Sequence, residues 1–411
     1  MSLVLAFVVS LTGQTVQYVV GPTAAPCLKV HKQASSSSDP LDCLAPGASL
    51  PSDDTVPYWR RVTVPDGRVG WAAKKFLVEP TGPAPTGPTP PNALLEVHFV
   101  DVGQGDGIWI HTFDDGIQNG KFEGKNIIID GGPQAADNAN PLRQYLESQG
   151  HHGAIVDALI VSHPHDDHYP GADGILRHFD VRAYYDPGYP KTGVSYPAFL
   201  ASVPAAIRHV GRANFGTFDW GSEVQAEVLY AYDASLSDMG SGNTVENNAA
   251  IVLRVQYGST VFLFMGDAEG KARTGSSATP KYVEKVLLDT VPGKLKATVL
   301  KIAHHGSETS STLPFIQAVD PDIVVASSGR KNFKGSGTQD RFLPDSTTLQ
   351  RYCTHKASTR IYRTDQKDAQ EGRTVTNDAD GDNVIVRTNG QNVTVEAFEA
   401  GQPFTVNTCA P

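Results

Sequence analysis

At 411 residues, 40% of them hydrophobic, the chain is too long for one ordinary small domain and can bury at least one large core beside a smaller one. A formal net charge of −10 argues against a dedicated nucleic-acid or anionic-membrane binder unless basic groups are concentrated locally. No apolar run is long enough to predict a membrane-spanning helix.

The N-terminal run Leu3–Val9 is apolar but has no Lys or Arg before it, so it reads as a poor signal peptide and as a candidate first strand. Short β segments follow at Gln17–Val20, Leu28–Val30, Tyr58–Val64 and Gly70–Ala73, the pattern of a small β-barrel over residues 1–79. The four cysteines, Cys27, Cys43, Cys353 and Cys409, form no CxxC and lie away from the histidines, which sets aside zinc-finger and thioredoxin readings. Spacing favours disulfides Cys27–Cys43 and Cys353–Cys409, and hence an exported, extracellular or periplasmic protein; four free buried thiols are the alternative. Residues 80–93 are crowded with Pro, Gly and Thr and predict an extended linker.

From residue 94 the grammar changes. Leu94–Val100 alternates into Asp101-Val102-Gly103-Gln104-Gly105-Asp106, whose glycines suit a tight turn before a strand at Gly107–His111. Asn126–Ile129 is a buried strand ending at Asp130. Asn140-Pro141 supplies a cap and first-turn proline for a helix with Leu142, Tyr145 and Leu146 on one stripe. The apolar run Ile155–Val161 then ends in Ser162-His163-Pro164-His165-Asp166-Asp167-His168. Three imidazoles and two carboxylates within six residues are hard to explain as packing, and they are the donors that zinc-like ions prefer. A solvated polar loop is the bland alternative. Strands at Ala249–Val255 and Thr260–Met265 follow, the second stopping at Gly266-Asp267. Thr279-Pro280 opens a predicted helix, and the strand Thr298–Ile302 ends in Ala303-His304-His305-Gly306-Ser307. Ile323–Ala326 predicts a further strand, and Asp378–Asp382 a hairpin turn before Val384–Val386, since it lacks the acidic residue that would complete a calcium loop.

Three strand ends therefore carry metal-competent groups in an α/β layer protein: His163–His168, Asp267, and His304 with His305. Alone, Asp267 reads as a turn or cap, and a His-His pair is as often buried as ligating. Together they resemble the metallo-β-lactamase fold superfamily, whose HxHxDH signature stands here as His163, His165, Asp167 and His168. More narrowly, residues Leu94–Asp365 resemble the hydrolase domain of the ComEC competence-protein family. That likeness rests on Asp101–Asp106, Asn247-Asn248, Gly266-Asp267-Ala268-Glu269 and Leu300–Ser307.

The resemblance implies an αββα sandwich over residues 94–411. It implies His163 and His165 on a first ion, Asp167 and His168 on a second, and Asp267 bridging. One of His304 and His305 completes the ligand set of the second ion, with the reading leaning to His304 as ligand and His305 toward the substrate. Asp101, Asp106 and Asp130 support the site by hydrogen bonds without coordinating. The expected cofactor is Zn2+, one or two ions, with Mn2+ the alternative. The further histidine many members place before the bridging Asp is missing, since His178 and His209 both lie in helix-like stretches.

The implied reaction is hydrolysis by a metal-activated hydroxide, oriented by Asp167 or Asp267, with His305, Tyr169 or Asn248 on the leaving side. A small phosphoester or phosphodiester fits the acidic chain better than nucleic acid, although Arg330, Lys331 and Lys334 form one basic cluster. The competing readings are a lactone or β-lactam hydrolase and a non-catalytic cell-wall-binding protein. Asp66–Leu77 resembles the last hairpin of bacterial SH3-like domains, a family implying a cell-wall or peptide ligand; a plain packing domain is the alternative.

Overall fold

The computed structural model describes residues 16–20, 27–45, 48–56, 59–73, 77–78, 94–113, 124–135, 139–149, 155–221, 223–329, 342–366, 379, 381–397 and 407–408. The N-terminal apolar run, the linker and the cluster Arg330, Lys331 and Lys334 lie outside the described residues. Two compact units are present, one centred on residues 1–82 and one on the rest of the chain.

The N-terminal unit is one antiparallel sheet of Val16–Val20, Leu28–His31, Pro40–Leu44, Ser49–Val56, Trp59–Thr63, Val69–Ala73 and Leu77–Val78. Residues two apart along a strand share a face, so Leu28 with Val30 and Val62 with Val64 point inward to meet Leu50 and Ala72 in a small core. A core this size benefits from a covalent tie, and a Cys27–Cys43 disulfide joins Leu28–His31 to Pro40–Leu44. Cys353 is also disulfide-bonded; its expected partner Cys409 lies outside the described residues. Pro40–Leu44 and Ser49–Val56 are additions to the predicted strands. Their Pro, Asp and Ser residues carry no apolar alternation, and it is pairing with neighbours that holds them extended.

The second unit is a mixed α/β sandwich. Among the described residues, one sheet of eight strands is centred on Leu95–Phe99, Gly107–His111, Asn126–Gly131 and Ala158–Ile160, and Val384–Thr388 pairs with Leu95–Phe99, leaving Val393–Ala397 at the edge. The other, of seven strands, is centred on Val252–Tyr257, Thr260–Phe264, Val299–Lys301 and Ile323–Ala326. Val97, Phe99, Ile108 and Ile110 from the first meet Leu253, Val255, Phe262 and Phe264 from the second in one continuous core. The alternate residues face outward. His98 stacks on Trp109 and hydrogen-bonds Tyr145, seating the helix Pro141–Ser148 on the outside of the first sheet. On the far side, Leu263, Leu300 and Val324 pack against Val283, Leu287, Phe315 and Tyr352 of the helices Tyr282–Thr290, Leu313–Val319 and Ser346–His355.

Two predicted elements are corrected. The helix expected from Thr279-Pro280 begins at Tyr282. His209 lies on the strand Arg208–Val210, stacked on Tyr185, rather than on a helix, whereas His178 does end the helix Ala172–His178.

Strand register gathers the chemistry. Asn126–Gly131 and Ala158–Ile160 run parallel, with Ile129 opposite Ile160, so Asp130 and Ser162 emerge at the same edge. Thr260–Phe264 and Val299–Lys301 also run parallel, with Phe264 opposite Lys301, which brings Asp267 beside His304 and His305. A backbone hydrogen bond from Ile251 to the Ser162 carbonyl, 2.8 Å, ties the two edges together.

Candidate metal centre

Asp267, 2% exposed, sits between two sets of imidazoles. On one side, His163 Nε2 lies 3.1 Å from His165 Nδ1 and 3.7 Å from Asp267 Oδ2. On the other, His168 Nε2 and His305 Nε2 face each other at 3.2 Å, each 3.4 Å from an Asp267 oxygen. The Asp167 carboxylate reaches the second set, 3.4 Å from His305 Nε2 and 3.8 Å from His168 Nε2.

The opposite ring nitrogens are already committed. His168 Nδ1 donates to Asp130 Oδ2 at 2.8 Å, and Asp130 also accepts from the Ser162 amide and hydroxyl at 2.7 and 2.6 Å. His305 Nδ1 donates to the Ser327 carbonyl at 2.7 Å. With Nδ1 of each ring engaged behind it, the two Nε2 atoms converge beside the Asp267 carboxylate, whose Oδ1 has no hydrogen-bond partner. Ring nitrogens that converge on a buried carboxylate with an orphaned oxygen call for positive charge at that point, and imidazole with carboxylate is the donor set of zinc-like ions. The residues therefore fit a dinuclear centre: His163, His165 and Asp267 for one ion, His168, His305, Asp267 and Asp167 for the other.

The carboxylates draw positive charge onto the second pair of rings. Burial depresses His168 and His305, but the surrounding carboxylates together outweigh it, Asp267 with Asp130 and Asp167 for His168 and Asp267 with Asp106 and Asp167 for His305, and hold both well above the usual imidazole range. His163 is pushed well below that range by burial and by the charge of His168. Burial would raise Asp267, yet His305 and His168 pull it well below the usual carboxylate range.

Asp106 is close by, but on the far side of the rings: it pairs with the fully buried Lys301 and lies 3.4 Å from His305 Nδ1. Its place is behind the histidines, as is that of Asp130. Asp101 accepts from Gly103 at 3.0 Å and Gly381 at 3.1 Å, fixing the loop that carries Gln104 toward Asp167. Gly105 is required in that loop: its φ is +143°, and a Cβ there would lie 2.1 Å from the Asp167 carbonyl.

Three expectations are corrected. His305, not His304, enters the buried set. Both residues have left-handed backbone, φ 50° and 51°, and this turn sends the first ring to the cleft and the second inward. His304 is held at Nδ1 by Thr309 at 3.0 Å and Glu269 at 3.3 Å, with Nε2 3.9 Å from Asp267. Asn248 is fully buried, donating to the Met239 carbonyl and accepting from the Glu269 amide, and does not line the cleft. Tyr169 packs against Tyr196 and Phe199 and lines a neighbouring cavity instead.

The cleft over the centre holds about 450 Å³ and is walled by Gln104, Asn243, Thr244, Asn247, Arg273, Thr309 and Leu343. Arg273 is fixed by Asp345 at 3.2 Å and the Ser307 hydroxyl at 2.9 Å. Neither Arg273 nor Glu269 drew a role from sequence. Lys301 left a signal there: a lone lysine inside the apolar run Val299–Ile302 demands a buried partner.

A family model described as the metallo-beta-lactamase superfamily matches residues 121–330. ComE operon protein 3 of Bacillus subtilis (strain 168) is 30% identical over 288 residues, 66% of this chain and 32% of that protein. Recombination protein 2 of Haemophilus influenzae is 27% identical over 238 residues, 58% of this chain and 24% of that one. The chain thus spans a third or less of the length of these curated relatives. Among solved structures, the metallo-beta-lactamase fold protein YhfI from Bacillus subtilis aligns with a TM-score of 0.35 and 10% identity, over 66% of this chain and 97% of that one.

Proposed function

The chain belongs to the metallo-beta-lactamase superfamily, and on that premise we propose that it is an exported, zinc-dependent phosphodiesterase or phosphoesterase. The observation that carries this reading is Asp267 standing between two imidazole sets whose ring nitrogens converge on it. When bound, a pair of divalent cations supplies activated water and neutralises charge on an ester oxygen. The chain's own groups do the rest. Asp167 borders both the buried set and the cleft, where it orients the attacking water. His304, held through Nδ1 by Glu269, presents Nε2 to the cleft, in place to hydrogen-bond a leaving oxygen. Arg273, held rigid by Asp345 and Ser307, offers a planar cation to a phosphoryl oxygen.

The names of Recombination protein 2 and of Competence protein ComA, a Neisseria gonorrhoeae relative, make nucleic acid the competing substrate. The net charge of −10 supports a small phosphodiester over a polyanion. The Cys27–Cys43 disulfide supports export. The antiparallel N-terminal sheet supports an SH3-like module over residues 1–79, joined by a linker at 80–93 to a hydrolase domain at 94–411, with a cell-wall or peptide ligand.

The test is a panel of bis(p-nitrophenyl) phosphate, p-nitrophenyl phosphate, single-stranded DNA and a chromogenic lactam, with metal content measured on the same preparation. Chelator-sensitive turnover of the phosphodiester supports the reading; turnover of the lactam alone replaces it with acyl hydrolysis.

A further inference from the structure

The first imidazole set is short of donors: His163, His165 and Asp267 are its whole protein complement among the described residues. How firmly His165 is held therefore matters more than it would in a fuller shell. Its Nδ1 faces His163 Nε2 at 3.1 Å, so its Nε2 points away from the centre. That outer nitrogen lies 3.0 Å from Glu246 Oε2. An imidazole that offers Nδ1 to an ion carries its proton on Nε2, and a carboxylate there fixes both the tautomer and the ring plane.

Glu246 is itself pinned. Lys191 Nζ lies 2.8 Å from the same Oε2 and 2.6 Å from the Pro164 carbonyl, in the middle of the loop that carries His163 and His165. One lysine thus clamps the carboxylate and the ligand loop together. All three side chains are largely shielded, His165 18%, Glu246 21% and Lys191 19% exposed, so this is no free surface ion pair.

From this geometry we infer that Glu246 is the positioning residue of the first ion site, orienting His165 for ligation through Nδ1, with Lys191 as its clamp. The inference rests on the metal-centre reading above. Neither residue belongs to the HxHxDH run: Glu246 comes from the helix Asn243–Asn247, and Lys191 from the loop after the strand Tyr184–Asp186.

The test is competition for Zn2+ between a chromophoric chelator and the full chain, wild type and the variants E246A, E246Q and E246D, with cobalt absorption spectra as a second readout. Glutamine still accepts from His165 Nε2 but lacks charge; aspartate keeps the charge but falls short by one methylene. The wild type takes up two ions. E246A and E246D weaken one of them about 10- to 100-fold and shift the cobalt spectrum, while E246Q stays within about threefold of wild type. The inference is overturned if E246A holds both ions as tightly as wild type. It is also overturned if E246D retains affinity and E246Q loses it, because charge and not orientation would then be responsible. A wild type that takes up no ion overturns the metal centre itself and the positioning role with it, an outcome distinct from both.

Discussion

His168 and His305 face each other through Nε2 atoms 3.2 Å apart, each with its Nδ1 proton already given, to Asp130 and to Ser327. Both Nε2 atoms lie beside the Asp267 carboxylate in an arrangement that only the folded chain assembles, so ions that bind there stabilise the fold. Metal removal is therefore expected to lower the melting temperature, with about 2.7 kcal/mol of linked stability lost per ion at an ion concentration one hundred times Kd. Calorimetry with and without chelator checks this, and equal melting temperatures would argue against the centre.

The neighbouring histidines should separate cleanly. His305→Ala is expected to lose one ion per chain, whereas His304→Ala keeps both and loses about 10²- to 10⁴-fold in phosphodiester turnover. Metal content and turnover on the same samples decide. The reverse pattern would restore His304 as the ligand.

Lys301 and Asp106 form an ion pair in which both side chains are buried, directly behind His305. Lys301→Met leaves the carboxylate without its counter-charge and should cost about 3–5 kcal/mol in denaturant unfolding. Adding Asp106→Leu should recover much of that loss, since the pair's own desolvation cost disappears with it.

Away from the centre, Glu284 is fully buried and accepts from the Ser311 amide, the Thr312 amide at 2.9 Å and the Thr312 hydroxyl at 2.5 Å. Burial raises its pKa from 4.5 to about 6, against those donors. The folded state then binds this proton more tightly than the unfolded chain, so the associated stability is complete below pH 4.5 and is lost as pH rises through about 6. The shift corresponds to roughly 2 kcal/mol. Urea unfolding of wild type and Glu284→Gln from pH 4.5 to 7 should show that slope in the wild type alone.

Much of the centre was legible because ligand chemistry restricts residue choice: few other reasons place His163, His165, Asp167 and His168 in six residues, or Asp267 and a His pair at strand ends. What was not legible depends on ring direction. His304 and His305 are chemically identical, and only two consecutive left-handed residues decide which turns inward. Tyr169 and Asn248 were plausible by proximity in sequence, yet packing drew one into an aromatic cluster and the other onto backbone partners. Glu246 and Lys191 carry no local signal, because their meaning comes from a contact made across more than fifty positions. The same holds for Pro40–Leu44, extended only because its neighbours are.

The ligands also come from opposite layers: His163, His165 and His168 follow a strand of one sheet, Asp267 and His305 follow strands of the other. An ion shared through Asp267 is thus a weld across the open seam of the sandwich, and neither half of the fold owns it. Uptake of metal should then register whether the two layers have closed in register, making ion binding a late event in folding as well as the start of catalysis.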